Sequence, residues 1–320
     1  MAIDSALQAA LLKHCIQFGS SFSSSGSSCI KVEPSGKLLF GKVASPAEQV
    51  LGEAASLQAL RTACEQAGLN EEECIVPRVY GSGTVDTDKD GRRRSEAYLI
   101  TDYLSLSSRV DSSGQATLGR RLALMHSASP PEHRYGFDVP THCGVTEQDN
   151  TYERDWRTFW ERRRIGNLVE RIGDQRLSSL QEEMQSSGVY DLLLDPVRDV
   201  RPSCIHGDLW SGNAGTDKTT GEPMIFESSY YGHGEAELGM TKMFGGFTSD
   251  FYDAYHKVLP RSEPHYEERL RLYELYHHLN HALMFGGSYK SGAVSIMEGL
   301  IDFAGQDGGT ADNNARRSGL

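Results

Sequence analysis

The segment Cys204-Ile205-His206-Gly207-Asp208-Leu209-Trp210-Ser211-Gly212-Asn213 constrains this chain more than any other. It begins on a short apolar run and sets a carboxylate, Asp208, five residues before an amide, Asn213. In phosphoryl transfer an acidic residue orients the attacking hydroxyl or accepts its proton, and an amide at this spacing holds a magnesium ion on the nucleotide phosphates. Asp208 and Asn213 fit those two roles. So short a motif also occurs in structural loops, so the other parts of a phosphoryl-transfer site must follow in order along the chain.

A lysine and a glutamate do. Residues 28–33 and 37–43 are β-prone runs, and Pro34-Ser35-Gly36 between them has turn composition, which predicts a hairpin. Ser45-Pro46-Ala47-Glu48 reads as a capping box, and Val50, Leu51, Ala54, Leu57 and Leu60 continue it at helical period until Gly68. Lys42 then ends the second strand and Glu53 lies on the helix, where they can form the ion pair that points a lysine at the α and β phosphates. Residues 22–28 are a serine- and glycine-rich turn whose backbone N–H groups can approach phosphates; a plain flexible turn is the other reading.

Residues 97–104 form an apolar strand after a polar stretch, 86–95, that reads as an exposed loop. Helices dominate beyond it, with Leu118, Leu122 and Met125 on one face and Leu272, Leu275, Leu279 and Leu283 on another. The expected organisation is a small strand-rich lobe over 1–103 and a larger helical lobe over 104–304. The glycine-, asparagine- and charge-rich residues 305–320 are expected to form a disordered tail.

Composition excludes several classes. A net charge of −12 argues against a broad nucleic-acid footprint. The first twelve residues carry Asp4 and no apolar core behind a basic flank, so they do not read as a secretory signal, and no apolar run is long enough to span a bilayer. Six cysteines without C-x-x-C pairing suit reduced thiols, which leads to the expectation of a cytoplasmic protein. His277 and His281 have the spacing of a zinc pair, but no glutamate lies between them and no third ligand is evident, so they read as ordinary helix histidines. Arg92-Arg93-Arg94 and Arg162-Arg163-Arg164 read as charge runs without an assigned role.

With these pieces in order, the chain resembles the fructosamine kinase (ketosamine-3-kinase) family, which is itself similar to aminoglycoside phosphotransferases and choline kinases. The resemblance covers most of residues 15–300. It rests on residues 52–57, Gly136-Phe137-Asp138-Val139, Asp155-Trp156, residues 206–213, Tyr230-Tyr231-Gly232-His233, Glu235 with Glu237-Leu238, and Met243-Phe244-Gly245-Gly246-Phe247. It implies an α+β, bilobal protein-kinase-like fold with a small antiparallel-sheet N-lobe and ATP between the lobes. It also implies magnesium-dependent phosphorylation of the sugar O3 hydroxyl of ketosamines, such as fructosamine or ribulosamine adducts on lysines, which would undo glycation.

Carried over by position, Asp208 would be the base, Asn213 a magnesium ligand and Lys42 with Glu53 the phosphate-orienting pair. Thr101, Asp102 and Tyr103 would be the adenine-side hinge, and Trp210 would stack on substrate. An indole face packs well on sugar C–H groups while a nearby carboxylate meets a hydroxyl. His233, Glu235 and Glu237 match as well and read as scaffold. Cys29 sits where some relatives carry a cysteine implicated in redox-sensitive dimers, so a redox-dependent homodimer and an inert strand residue are both open.

The chain departs from the family at Glu227-Ser228-Ser229, where the pattern is Asp-Pro-Ala. That aspartate is expected to ligate magnesium, and Glu227 keeps its charge on a longer arm while the fixed φ of proline is lost. A catalytically weakened relative or binding module is therefore one alternative, and a kinase for another hydroxylated amine is a second.

Overall fold

The computed structural model describes residues 2–26, 28–85, 95–107, 110–128, 130 and 133–317, with side chains described as far as 306. The polar stretch from 86 and the Arg92–Arg94 run lie outside the described residues, as does Ser27 in the serine-rich turn.

The predicted hairpin forms as β2 (Cys29–Pro34) and β3 (Leu38–Ala44), antiparallel, with Gly36 taking the positive φ of the turn. They belong to a five-stranded antiparallel sheet with β1 (Gly19–Ser24), β4 (Val79–Thr84) and β5 (Ala97–Asp102), in the order β1-β2-β3-β5-β4. Strand alternation divides this sheet between two cores. Tyr98 and Ile100 face a cluster with Leu7 and Leu11 of helix α1 (Ser5–His14). Ala97 and Leu99 face the other way, into the core that contains Val50, Ala54 and Leu57 of helix α2 (Ala47–Gln66).

Three of these elements carry no clear sequence signal. Helix α1 is started by Asp4, whose carboxylate accepts Ala6 N–H at 2.9 Å. Strand β1 is an edge strand reading Gly-Ser-Ser-Phe-Ser-Ser, and β4 contains Gly81 and Gly83, so neither shows apolar alternation. A Cβ on Gly81 would lie 2.5 Å from the His14 ring, which explains why glycine interrupts that strand.

Helix α2 starts and stops near the expected places, with Gly68 at φ +77 beyond its end, but the capping box does not form. Pro46, in extended conformation, is the N-cap and makes no side-chain cap bond, so Ser45 stands one residue too early. Ser95 replaces it: Ala47 N–H donates to Ser95 O at 2.7 Å, tying the helix start to the approach of β5.

After β5 the chain is mainly helical. Helix α3 (Ser112–Ser127) is followed by a small hairpin, β6 (His142–Cys143) and β7 (Thr146–Glu147). Then α4 (Trp156–Thr158) passes through π-helical Phe159–Gly166 into α5 (Asn167–Ile172), followed by α6 (Gln175–Ser186) and α7 (Val189–Leu194). Four short strands come next: β8 (Ser203–Ile205), β9 (Ala214–Thr216), β10 (Pro223–Ile225) and β11 (Tyr230–Gly232). They pair as β8 with β11 and β9 with β10, both antiparallel. Helices α8 (Gly234–Met243), α9 (Ser249–Val258), α10 (Tyr266–Phe285) and α11 (Ser288–Arg317) close the lobe. Backbone helix thus runs to Arg317 where composition suggests a disordered tail from 305; no proline interrupts it, so its hydrogen bonds can propagate from the packed turns before it.

Two motif segments prove to be struts. Gly136 and Tyr231 exchange backbone hydrogen bonds, and Phe137 packs on the Tyr231 ring at 5.4 Å. Asp155 caps α4 through Thr158 N–H at 2.8 Å, and Trp156 is buried with its indole N–H donating to Tyr273 OH at 3.0 Å. Among the described residues no helix is long and apolar enough to cross a membrane.

Candidate active site

The loop between β8 and β9 is held in shape before any ligand is considered. Trp210 N–H donates to Asp208 O at 3.0 Å, Asn213 N–H to Trp210 O at 2.9 Å, and the Asn213 side-chain amide to Asp208 O at 3.0 Å. These bonds wind the segment so that the Asn213 amide reaches back to the backbone carbonyl of Asp208. Asp208 N–H donates to His206 Nδ1 at 3.2 Å, so the ring proton is on Nε2, which donates to Phe226 O at 2.6 Å. His206 therefore spaces this loop from the segment carrying Glu227.

Glu237 on α8 anchors this loop from beneath. Its carboxylate accepts the backbone N–H of His206 at 2.5 Å and of Gly207 at 3.0 Å, and lies 3.6 Å from His126 Nε2. Burial alone would push its carboxyl up, but the neighbouring imidazoles and the backbone N–H groups it accepts hold it below the usual value. The scaffold expectation fits its neighbours too. Glu235 takes Arg269 at 3.1 Å, and His233 pairs with Tyr273 OH at 2.8 Å, with its own pKa pushed down to about 4 by burial.

Across the cleft, Lys42 Nζ donates to Glu53 Oε2 at 2.5 Å. The pair shares a cavity of about 220 Å³ with Glu227, Ser228, Thr141, His142 and Gly144, so strand β3, helix α2 and both loops of the helical lobe meet there. Gly52 sets the depth of α2: a Cβ on it would lie 2.4 Å from Pro140 O, so only glycine lets Glu53 come this close.

Glu227 is solvent-exposed as a residue, while its carboxyl reaches into the cleft. Partial desolvation there raises its pKa and Glu53 adds to this; His206, Lys42 and a hydrogen bond from Asn213 oppose it. Its backbone has φ of +109, a conformation that Glu adopts at a cost. The Ser228 hydroxyl beside it is buried without a hydrogen-bond partner among the described residues.

Asp208 is 6% exposed, and burial pushes its pKa from 3.8 up to about 6. The Cys143 thiol, itself held protonated by burial, donates to its carboxylate. His277 on α10 also comes close, neutral because burial drives its pKa down to about 3. Cys143 and His277 were not singled out by their spacing to Asp208; no sequence signal joins three residues so far apart in the chain.

The remaining candidates fall in different places. Trp210 is 40% exposed and edges onto Phe244 at 6.1 Å, presenting an indole face beside the loop. Thr101 is buried on β5. The Asp102 carboxylate is committed to Lys37 and Tyr80, each at 2.8 Å, and to Arg78 N–H at 3.0 Å, while its own N–H donates to Arg78 O at 3.1 Å and its carbonyl accepts the Thr101 hydroxyl at 3.0 Å; Tyr103 follows it, half-buried. Cys29 is buried in β2 and burial raises its thiol pKa, the surroundings of an inert strand residue rather than a reactive one. Arg163 pairs with Glu153 at 2.7 Å, and Arg164 is buried over the Tyr230 ring at 4.0 Å, so both are structural.

The fructosamine kinase family matches residues 27–303. A chloroplastic protein-ribulosamine 3-kinase of Oryza sativa subsp. japonica is 38% identical over 232 residues, covering 71% of this chain and 63% of that relative's length. A crystal structure of a candidate fructosamine-3-kinase from Thermobifida fusca superposes with a TM-score of 0.71 at 24% identity, covering 94% of this chain and 100% of that one. A thermostable aminoglycoside phosphotransferase mutant, in ternary complex with AMP-PNP and hygromycin B, shares the fold at a TM-score of 0.50 and 17% identity, covering 92% and 98% of the two chains. The fold is therefore α+β and protein-kinase-like, as the resemblance implied. The chain belongs to the fructosamine kinase family.

Proposed function

We propose that this chain is an ATP-dependent kinase that phosphorylates the sugar O3 hydroxyl of ketosamines, fructosamine or ribulosamine adducts on lysine amines, and so promotes their removal. The observation that carries this is the Lys42–Glu53 pair at 2.5 Å, in one cavity with Glu227, whose carboxyl accepts a hydrogen bond from Asn213. The family and the nucleotide analogue held by a neighbour of the same fold support it.

In this reading residues 1–103 carry ATP-binding groups and 104–304 carry the catalytic and substrate groups. Lys42, held by Glu53, positions the phosphates, and Thr101, Asp102 and Tyr103 form the adenine-side hinge. The amide oxygen of Asn213 and the carboxylate of Glu227 are adjacent hard-oxygen donors, the kind magnesium takes. When bound, that ion neutralises phosphate charge. Trp210 packs on the sugar, and Asp208, ionised above about pH 6, accepts the proton of the attacking hydroxyl.

The test is ADP release with ribulosyl-lysine, fructosyl-lysine and an aminoglycoside as competing acceptors. Turnover confined to the ketosamines, and lost in Lys42→Met, supports the proposal; turnover with the aminoglycoside alone removes it.

A further inference from the structure

Cys143 on β6, Asp208 on the catalytic loop and His277 on α10 bring a thiol sulfur, a carboxylate oxygen and an imidazole nitrogen within 4.8 Å of one another. All three residues are buried, and His277 Nδ1 has no hydrogen-bond partner among the described residues. The sulfur is also oriented from behind, since the Asn280 amide donates to Cys143 Sγ at 3.1 Å and to its carbonyl at 3.2 Å. Ligands steered by such outer partners are what metal sites show.

We propose that Cys143, Asp208 and His277 form a site for a transition-metal dication, zinc above all, and that filling it takes the catalytic carboxylate out of use. Sulfur, nitrogen and oxygen from three elements match the three protein ligands of an open zinc site, with a fourth position left for water. The set discriminates against magnesium, which prefers oxygen donors. Two anionic donors would neutralise the dication, which matters in so buried a place. On binding, Cys143 loses its thiol proton to solvent and forms a sulfur–metal bond; Asp208 exchanges the S–H hydrogen bond for an oxygen–metal bond; and His277 supplies a nitrogen lone pair. The residues on either side of Cys143, His142 and Gly144, line the cavity shared with Lys42 and Glu53.

The inhibitory consequence rests on the kinase proposal, whereas metal binding does not. The binding test is therefore spectroscopic: cobalt(II) titrated into the full reduced chain, followed by its thiolate-to-cobalt charge-transfer absorption. One equivalent of cobalt should develop the band, zinc should bleach it, Cys143→Ser should abolish it, and His277→Gln should weaken cobalt binding at least tenfold in a chain whose thermal melt remains cooperative. Absence of the band, or a band unchanged in either variant, overturns the site. Zinc should also stop ATP turnover, with recovery on adding EDTA; zinc inhibition in a chain that gives no cobalt band would place the effect elsewhere and equally overturn the proposal.

Discussion

Glu237, whose side chain has no exposed surface, accepts the backbone N–H of His206 at 2.5 Å. Through this bond and the one from Gly207, a helix of the lower lobe fixes the backbone on which Asp208 stands. Glu237→Gln retains the shape but presents an amide where two N–H donors converge. Stranding one buried donor costs about 1–3 kcal/mol. The variant should melt earlier and lose at least tenfold in kcat while its KM for ATP changes little, because the Lys42–Glu53 side of the cleft is untouched. Steady-state kinetics beside a thermal melt would check both.

In the proposed reaction Asp208, as the base, sets an acid limb. Its pKa is raised to about 6 by burial, so the fraction able to accept a proton falls as pH drops through that value, and kcat/KM should fall tenfold per pH unit below it. The same shift costs stability. A carboxyl with its folded pKa above its unfolded one destabilises the fold once pH exceeds both values, and 3.8 to about 6 corresponds to roughly 3 kcal/mol at most. Asp208→Asn should abolish turnover, melt later than wild type at pH 8, and lose that advantage near pH 4.

Glu227 should be improvable. Aspartate tolerates positive φ better than glutamate and shortens the arm by one methylene. Glu227→Asp should raise kcat and lower the magnesium concentration needed for half-maximal rate. A misplacement of about 1 Å can cost on the order of a hundredfold in rate, so a gain of up to that size is the upper bound. A magnesium titration of the two proteins would measure it.

Gly52→Ala tests how closely α2 must approach the helical lobe. Its Cβ would meet Pro140 O at 2.4 Å, against backbone on both sides, so the helix must shift. Overpacking of this kind costs about 1–3 kcal/mol. Because Glu53 is the next residue, the KM for ATP should rise along with the loss of stability; a variant with wild-type kinetics would show that the spacing of α2 is not critical.

Much of this site was legible because its parts obey short-range rules. Asp208 and Asn213 lie on one loop, and Lys42 and Glu53 follow from a strand, a helix and their order. The capping box failed because Pro46, rather than Ser45, came to stand at the helix boundary, a choice settled by Ser95 arriving from beside β5. The resemblance suggested Asp102 as a hinge position, but its pairing with Lys37 and Tyr80 depends on sheet register, which no local pattern carries. Glu237 could be matched to the family, yet its grip on two backbone N–H groups needs the packed helix. His277 had a zinc-pair spacing with His281, but no sequence rule joins it or Cys143 to Asp208, because tertiary packing alone brings the three together.

The most direct measurement of the central claim is ADP formation with ribulosyl-lysine and magnesium in wild type and Asp208→Asn, with phosphorus NMR of the product. The account predicts acceptor-dependent ADP release, one new phosphate ester on the sugar O3, and neither in Asp208→Asn. ADP release that ignores the ketosamine, a phosphate at another position, or undiminished turnover in Asp208→Asn would contradict it.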